Sequence, residues 1–328
     1  MERMDGEAGG NGGGSVRLLA RLVLALALGA CGLGLSACGS SAPHKALSAP
    51  STAQPPAGAD SIVAAPVEVA HTRLGAVGYR TLGHGRPLVL IMGLGGSMED
   101  WDPTFVDALA RRYRVIAFDN AGVGRTQAVP GPLTIDAMAR QTSALIASLR
   151  LGRSDVLGWS LGGMVAQALA VQDPSQVRRI VLCATQAGTG RALPPPPAAA
   201  AAVASGNPSA VLATLFPADQ MAAAGAYATG VISYPTRAAV SRATVVAQTK
   251  AIARWLRGAE PAGARVATVS VPTLVADGTV DALDPVSNDR ELASLIRHAR
   301  LLLYRDAGHG FLFQDQAAFL PRVESFLR

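Results

Sequence analysis

Short apolar segments alternate with longer segments of helical periodicity along the chain from residue 67 onwards. Residues 67–74 and 76–83 are neighbouring strand-like segments and together predict a β-hairpin. Residues 86–93, RPLVLIMG, form a continuous apolar run of the kind found in strands buried on both faces of a sheet. The same reasoning predicts strands at YRVIAFD (113–119), SDVLGW (154–159), VRRIVLCA (177–184), VPTLVADG (271–278) and ARLLLYRD (299–306).

Between these runs, apolar residues recur at helical spacing. The clearest example is 134–151, whose apolar positions fall on one helical face: Ile135, Met138, Leu145, Ile146 and Leu149. Further helices are predicted at 101–112, 160–173, 291–298 and 315–327. Alternating strands and helices predict an α/β fold, in which a mostly parallel eight-stranded sheet has helices on both faces.

Residues 186–268 interrupt this alternation. The segment contains the low-complexity stretch LPPPPAAAAAVA and no clear strand. We predict a helical cap inserted between two parts of the core, 67–185 and 269–328; a poorly ordered loop is the alternative. The cap is favoured by apolar residues that must be buried somewhere: Leu212, Leu215, Phe216, Ile252, Trp255 and Leu256.

The amino-terminal region has the pattern of an export signal. Arg17 and Arg21 precede an apolar segment, 22–37, which is shorter than the ~20 residues of a membrane-spanning helix. Its end, LSAC, resembles the lipobox of bacterial lipoproteins. That resemblance implies a signal peptide over 1–37, lipidation of Cys38, and anchoring to the outer face of the bacterial plasma membrane. Cys31 is a second match, but Cys38 opens directly onto a polar segment, 39–66, so we predict a flexible tether over 38–66.

The composition narrows the remaining possibilities. The 328 residues carry a net charge of +6. Glu2, Asp5 and Glu7 lie near the start, where a signal peptide is usually basic, and they leave open a later start codon such as that of Val16. No basic block is interleaved with aromatic residues, so we expect no nucleic-acid partner. Cys183 lies in an apolar run and is expected to be a buried, unreactive thiol. With Cys38 lipidated, no disulfide is expected in the mature chain.

Residues 158–162, GWSLG, have the spacing G-x-S-x-G between a predicted strand and a predicted helix. Such a turn is strained and exposes the serine hydroxyl at the carboxyl end of the sheet. Only glycine fits where the two arms of the turn press together. The amides that open the next helix point at any negative charge that develops there. The pattern predicts Ser160 as a nucleophile.

A serine nucleophile needs a base and a group that orients the base. His309 lies in a loop after the last predicted strand, at the same edge of the sheet as Ser160, whereas the other histidines lie elsewhere: His44, His71, His84 and His298. Asp281 follows the strand 271–278 and is predicted to orient His309. Asp277 is still close to the strand, and Asp284 precedes Pro285, where a helix N-cap is the simpler interpretation.

The order Ser, Asp, His, the elbow and the strand–helix alternation resemble the α/β-hydrolase fold family over about 67–328. The resemblance implies a serine hydrolase that cleaves carboxylic esters through an acyl-enzyme, with no cofactor or metal. It also implies an oxyanion hole formed by the backbone amides of Leu161 and Leu94. The family often has histidine where this chain has Met92, but backbone amides do the work. The loop 119–126 matches one that braces the sheet end.

The resemblance leaves the chemistry open in several directions. The same triad supports lactone, amide and carbon–carbon bond hydrolysis and cofactor-free perhydrolysis. A serine at the elbow argues against the branches of the family that use aspartate there. A ligand-binding envelope lipoprotein without turnover is the alternative from another class. The expected partners are a small acyl substrate and, through the lipid anchor, a membrane; the oligomeric state stays open.

Overall fold

The computed structural model describes residues 60–328. The predicted signal peptide, both candidate lipidation sites, His44 and most of the predicted tether lie outside the described residues. Eight strands form one sheet in the order β1-β2-β4-β3-β5-β6-β7-β8. Their bounds are β1 Glu68–Thr72, β2 Gly75–Leu82, β3 Arg86–Ile91, β4 Tyr113–Phe118, β5 Ser154–Trp159, β6 Val177–Cys183, β7 Thr273–Gly278 and β8 Ala299–Tyr304.

The sheet confirms the predicted fold class. β1 pairs with β2 as an antiparallel hairpin, and β2 pairs with β4 in the same sense. Every other neighbouring pair is parallel. The carboxyl ends of β3, β5, β7 and β8 therefore share one edge, where the loops that carry the candidate residues begin.

Helices cover both faces of the sheet and continue in the segment between β6 and β7. Their bounds are α1 Pro103–Ala110, α2 Ile135–Ser148, α3 Leu161–Gln172, α4 Pro197–Ala204, α5 Pro208–Leu215, α6 Met221–Ile232, α7 Arg242–Leu256, α8 Pro261–Ala264, α9 Val286–Leu295, α10 Phe311–Gln314 and α11 Gln316–Leu327. Among residues 60–328, no helix combines the length and apolarity needed to cross a bilayer.

Alternate side chains of the central strands belong to two apolar layers, one on each face of the sheet. In β3, Val89 and Ile91 pack with residues of α2 and α3. Leu88 and Leu90 point the other way and pack with residues of α1 and α11. A strand whose successive side chains point to opposite faces must be apolar throughout to serve both layers. This explains the unbroken run RPLVLI.

The segment between β6 and β7, residues 186–268, contains helices α4–α8 and no strand. Trp255 is fully buried, and its indole Nε1 donates a hydrogen bond to the carbonyl of Gln186 at 3.0 Å. The Tyr227 hydroxyl donates to the carbonyl of Asp100 at 2.9 Å. The first contact joins the two ends of the inserted segment, and the second attaches its middle helix, α6, to the core.

The chain is packed before residue 67, where the predicted tether should still be free. Ile62 is fully buried, and its N–H donates to a carboxylate oxygen of Asp107 at 2.8 Å. The carbonyl of Ala65 accepts a hydrogen bond from the buried Arg80. The predicted tether is therefore too long at its carboxyl end. Ile62 and Ala65 are buried, although the segment around them is rich in Pro and Ala. That composition did not indicate that this part of the chain packs against the core.

Candidate active site

Ser160 occupies the turn between β5 and α3 in a conformation that non-glycine residues rarely adopt. Its φ is 56° and its ψ is −122°. Its N–H donates to the carbonyl of Cys183 at 2.8 Å, and the Thr185 hydroxyl donates to its carbonyl at 2.8 Å. A strained residue persists only where its surroundings hold it, and these two hydrogen bonds, both to the end of β6, help to do so.

The glycines on either side of Ser160 are required by close backbone contacts. A Cβ atom on Gly158 would lie 2.2 Å from the carbonyl oxygen of Gly162. A Cβ atom on Gly162 would lie 1.9 Å from the carbonyl oxygen of Ile91 in β3. Both distances are far inside van der Waals contact. The G-x-S-x-G spacing thus reflects how tightly the strand, the turn and the helix pack together.

The structure brings the predicted base and its orienting group together. His309 Nδ1 lies 2.6 Å from Asp281 Oδ2. The other oxygen of Asp281 accepts the N–H groups of Leu283 at 2.6 Å and Asp284 at 2.8 Å, which fix the carboxylate. The carbonyl of His309 accepts the indole N–H of Trp159 at 2.9 Å. Both the side chain and the backbone of His309 are therefore held, the latter by the neighbour of Ser160.

The His309 side chain is 5% exposed, and its environment acts on its pKa in two directions. Burial alone lowers the pKa of His309. The negative charge of Asp281, its hydrogen bond and the more distant Asp284 outweigh burial, so the pKa lies above its ordinary value. The carboxylates therefore stabilise the imidazolium that a general base becomes when it accepts a proton.

Three further carboxylates lie buried near Asp281. Asp277, Asp284 and Asp289 are all fully buried, with oxygens within 4.8 Å of one another. Burial, followed by the charge of neighbouring carboxylates, raises the pKa of Asp284 to about 7 and that of Asp289 to about 9. The same causes raise the pKa of Asp277 well above its ordinary value. The group has the ligand type that hard cations prefer, and the raised pKa values favour protonation of these carboxylates as another way to reduce their buried charge.

The position of Asp284 corrects one prediction. Residue 285, not Asp284, is the N-cap of α9, and no side chain caps that helix. The Asp284 carboxylate instead accepts a hydrogen bond from the Asn288 side chain at 2.7 Å. A carboxylate that turns inward to a buried partner cannot reach the free N–H groups of the first helical turn, so the N-cap interpretation was wrong.

The remaining described histidines lie apart from this site. His71 is in β1, His84 is in the turn before β3, and His298 precedes β8; all three are exposed. None of them lines the cavity that contains His309.

Ser160 and His309 line a single cavity of about 290 Å³. Its wall is formed by the loop Met92–Gly96, by Trp159, and by side chains from α4, α5 and α7 of the inserted segment. Most of the lining is apolar, with contributions from Met164, Val203, Val211, Leu215, Ile252 and Leu256. An apolar cavity with a few convergent polar groups is the usual form of a small-molecule site.

The two residues predicted to supply oxyanion amides lie at this cavity or next to it. Leu94 is in the loop that follows β3 and lines the wall. Leu161 is fully buried and is the first residue of α3, where a helix has no internal partner for its N–H. Their placement at the carboxyl ends of β3 and β5 follows from the parallel pairing of those strands.

The loop after β4 forms hydrogen bonds to the chain that follows β3. The Asn120 side chain donates to the carbonyl of Met92 at 2.8 Å, and Asp119 accepts the N–H of Met98 at 2.9 Å. Burial raises the pKa of Asp119 to about 6. Neither side chain lines the cavity. These contacts fit the structural role that the sequence predicted for this loop.

One site contact had no signal in the sequence. The Gln248 side chain, on α7, accepts the N–H of Gly95 at 2.8 Å across 153 positions of the chain. A glutamine within a helical segment has no spacing or motif that marks it. Only the placement of α7 over the loop after β3 identifies it.

Comparisons with known proteins identify the family of this fold. Residues 86–316 match the sequence model of a family described as alpha/beta hydrolase fold. The chain is 31% identical over 252 residues to a poly(3-hydroxyalkanoate) depolymerase of Ectopseudomonas oleovorans, covering 75% of this chain and 85% of that protein. It is 42% identical over 115 residues to a Mycobacterium tuberculosis protein named "Putative non-heme bromoperoxidase BpoC". That match spans 35% of this chain and 44% of the relative.

A solved structure gives the same result. An alpha/beta hydrolase fold protein from Chitinophaga pinensis superposes with a TM-score of 0.70 at 26% sequence identity. The superposition covers 81% of this chain and 98% of the other. The likeness therefore includes the inserted helices as well as the sheet.

Proposed function

The chain belongs to the alpha/beta hydrolase fold family, and on this premise we propose that it is a serine hydrolase of carboxylic esters. Ser160 is the nucleophile, His309 the general base and Asp281 the residue that orients His309. The observation that carries the proposal is the 2.6 Å contact between His309 and Asp281, beside a strained Ser160 on the same cavity. The similarity to a depolymerase of a polymer joined by ester bonds supports this substrate class.

The proposed reaction has two steps. In the first, Ser160 Oγ forms a bond to the acyl carbon while His309 Nε2 takes the hydroxyl proton. The tetrahedral oxyanion accepts hydrogen bonds from the N–H groups of Leu94 and Leu161. His309 then returns the proton to the departing alcohol, leaving an acyl-enzyme. In the second step, water attacks the acyl carbon, His309 accepts its proton and passes it to Ser160, and the carboxylic acid leaves.

The cavity predicts a preference for short acyl chains. A volume of about 290 Å³ is small for a ligand site. We expect hydrolysis of p-nitrophenyl esters to peak among short acyl chains and to decline steeply toward palmitate. Replacing Ile252, which lines the cavity, with tryptophan should reduce butyrate relative to acetate hydrolysis by about 10-fold, because overpacking removes the acyl space.

The matched control for this experiment is Val246→Trp on the same helix, at a side chain that is 45% exposed and outside the cavity. It should leave the acyl preference unchanged. Parallel assays with lactones, amides and peroxide plus acetate test the other reactions open to the same triad. A folded protein that cleaves none of the esters would contradict the proposal. Turnover of only one of the other substrate classes would replace carboxylic esters with that class as the substrate.

We also propose that the protein is exported and attached to the membrane through a lipid on Cys38, as its amino-terminal sequence predicts. Expressed in a bacterial host as the full chain, it should incorporate labelled palmitate and sediment with membranes. Cys38→Ser should abolish the label, whereas Cys31→Ser should retain it. The reverse result would assign the lipid to Cys31, and absence of label from the wild type would contradict the anchor.

A further inference from the structure

The loop Met92–Gly96 is held by hydrogen bonds on both sides of Leu94. On its amino side, the Asn120 side chain fixes the carbonyl of Met92 at 2.8 Å. On its carboxyl side, the N–H of Gly95 donates to Gln248 Oε1 at 2.8 Å. The first contact comes from the core, and the second comes from helix α7 of the inserted segment. Together they limit the directions in which the N–H of Leu94 can point.

Gln248 is poorly explained by packing alone. The side chain is fully buried, and its amide nitrogen has no hydrogen-bond partner among residues 60–328. A buried donor without a partner costs about 1–3 kcal/mol. An apolar side chain of the same length would avoid this cost. What glutamine provides here is the carbonyl oxygen that accepts the N–H of Gly95.

The backbone conformation at Gly95 determines which peptide unit this hydrogen bond holds. Its φ is +72°, in the left-handed region, so the chain reverses direction directly after Leu94. The N–H that Gln248 accepts belongs to the peptide unit joining Leu94 and Gly95. Holding that unit restricts rotation about the Cα–C bond of Leu94, while the hydrogen bond at Met92 restrains the chain on the other side of the N–H of Leu94.

We propose that Gln248 is a positioning residue, which holds the loop after β3 so that the N–H of Leu94 faces the oxyanion. The inference rests on the proposed function. Other residues of α7, including Val245, Thr249 and Ile252, line the cavity. The helix that contacts the acyl chain therefore also sets the oxyanion loop, and the inserted segment takes part in catalysis as well as in binding.

The kinetic test is Gln248→Met, which keeps the length of the side chain and removes the acceptor. We expect kcat for a short-chain ester to fall about 10- to 100-fold, because a loosened donor loses part of the stabilisation that one oxyanion amide provides. KM should change less than about two-fold, since ground-state contacts with the acyl chain remain. A variant that only disturbed the cavity would change KM instead.

Amide hydrogen exchange at Gly95 provides a readout that needs no turnover. Exchange should be slow in the wild type and in Gln248→Glu, which keeps an acceptor at the same length, and at least about 10-fold faster in Gln248→Met. If the wild type cleaves no ester, the proposed function fails, while exchange still decides whether Gln248 holds the loop.

The matched control is Thr244→Val. It removes another hydrogen bond of α7, from the Thr244 hydroxyl to the carbonyl of Gly122 at 3.1 Å, without touching Gly95. It should leave both kcat and Gly95 exchange unchanged. Unchanged kcat and exchange in Gln248→Met, or equal losses in Thr244→Val, would overturn the inference.

Discussion

Replacement of Ser160 by alanine is expected to reduce ester turnover by about 10⁴-fold or more. The substitution removes the only protein atom that forms a bond to the acyl carbon in the proposed reaction, and leaves the cavity and the oxyanion amides in place. Binding should therefore survive while chemistry stops. The measurement is kcat/KM for the fastest ester of the panel, corrected for spontaneous hydrolysis.

His309→Ala should have a comparable effect, and the double variant should be no worse than either single variant, because nucleophile and base act as a unit. A fluorophosphonate probe should label the wild type on Ser160 and leave both variants unlabelled. The control is Ser143→Ala, a buried serine of α2 outside the cavity. Undiminished turnover in Ser160→Ala would refute the assignment of the nucleophile.

The nucleophile could be predicted from the sequence because its constraints are local. The turn between β5 and α3 needs glycine two residues before and two after the serine, and all of these positions lie within five residues of chain. His309 and Asp281 required one further step. Each follows the end of a strand, and parallel strands bring their carboxyl ends to one edge. The parallel topology therefore brings His309 and Asp281, which are distant in the sequence, close together in space.

Contacts between the inserted helices and the core could not be predicted in this way. Gln248 meets Gly95 only because α7 lies over the loop after β3, and no periodicity specifies how an insertion docks. The inward turn of Asp284 was missed for a different reason: its partner Asn288 is only four residues away, but a carboxylate before a proline suits an N-cap equally well by sequence. Side chains whose partners lie across an insertion need the three-dimensional structure.

Gly162→Ala is expected to destabilise the fold severely, by about 3 kcal/mol or more. The added methyl would meet the carbonyl oxygen of Ile91 at 1.9 Å, and this oxygen belongs to the backbone of a central strand. No side-chain rotation can relieve such a contact. Either β3 and α3 must separate, which opens the apolar layer between them, or the turn must lose its shape. Chemical denaturation of the purified protein measures the loss.

The helical glycine Gly225 provides the matched control, because a Cβ atom there would meet nothing within 4 Å. Gly225→Ala, within α6, should be neutral or stabilising by about 0.5–1 kcal/mol, since alanine favours the helix. If Gly162→Ala does not fold, its loss from the soluble fraction beside a soluble Gly225→Ala gives the same answer. Equal denaturation midpoints for Gly162→Ala and the wild type would contradict the close approach of α3 to β3. Without that approach, the strained conformation of Ser160 would depend on its hydrogen bonds to Cys183 and Thr185 alone, and the tight turn that exposes its hydroxyl would lose one of its physical causes.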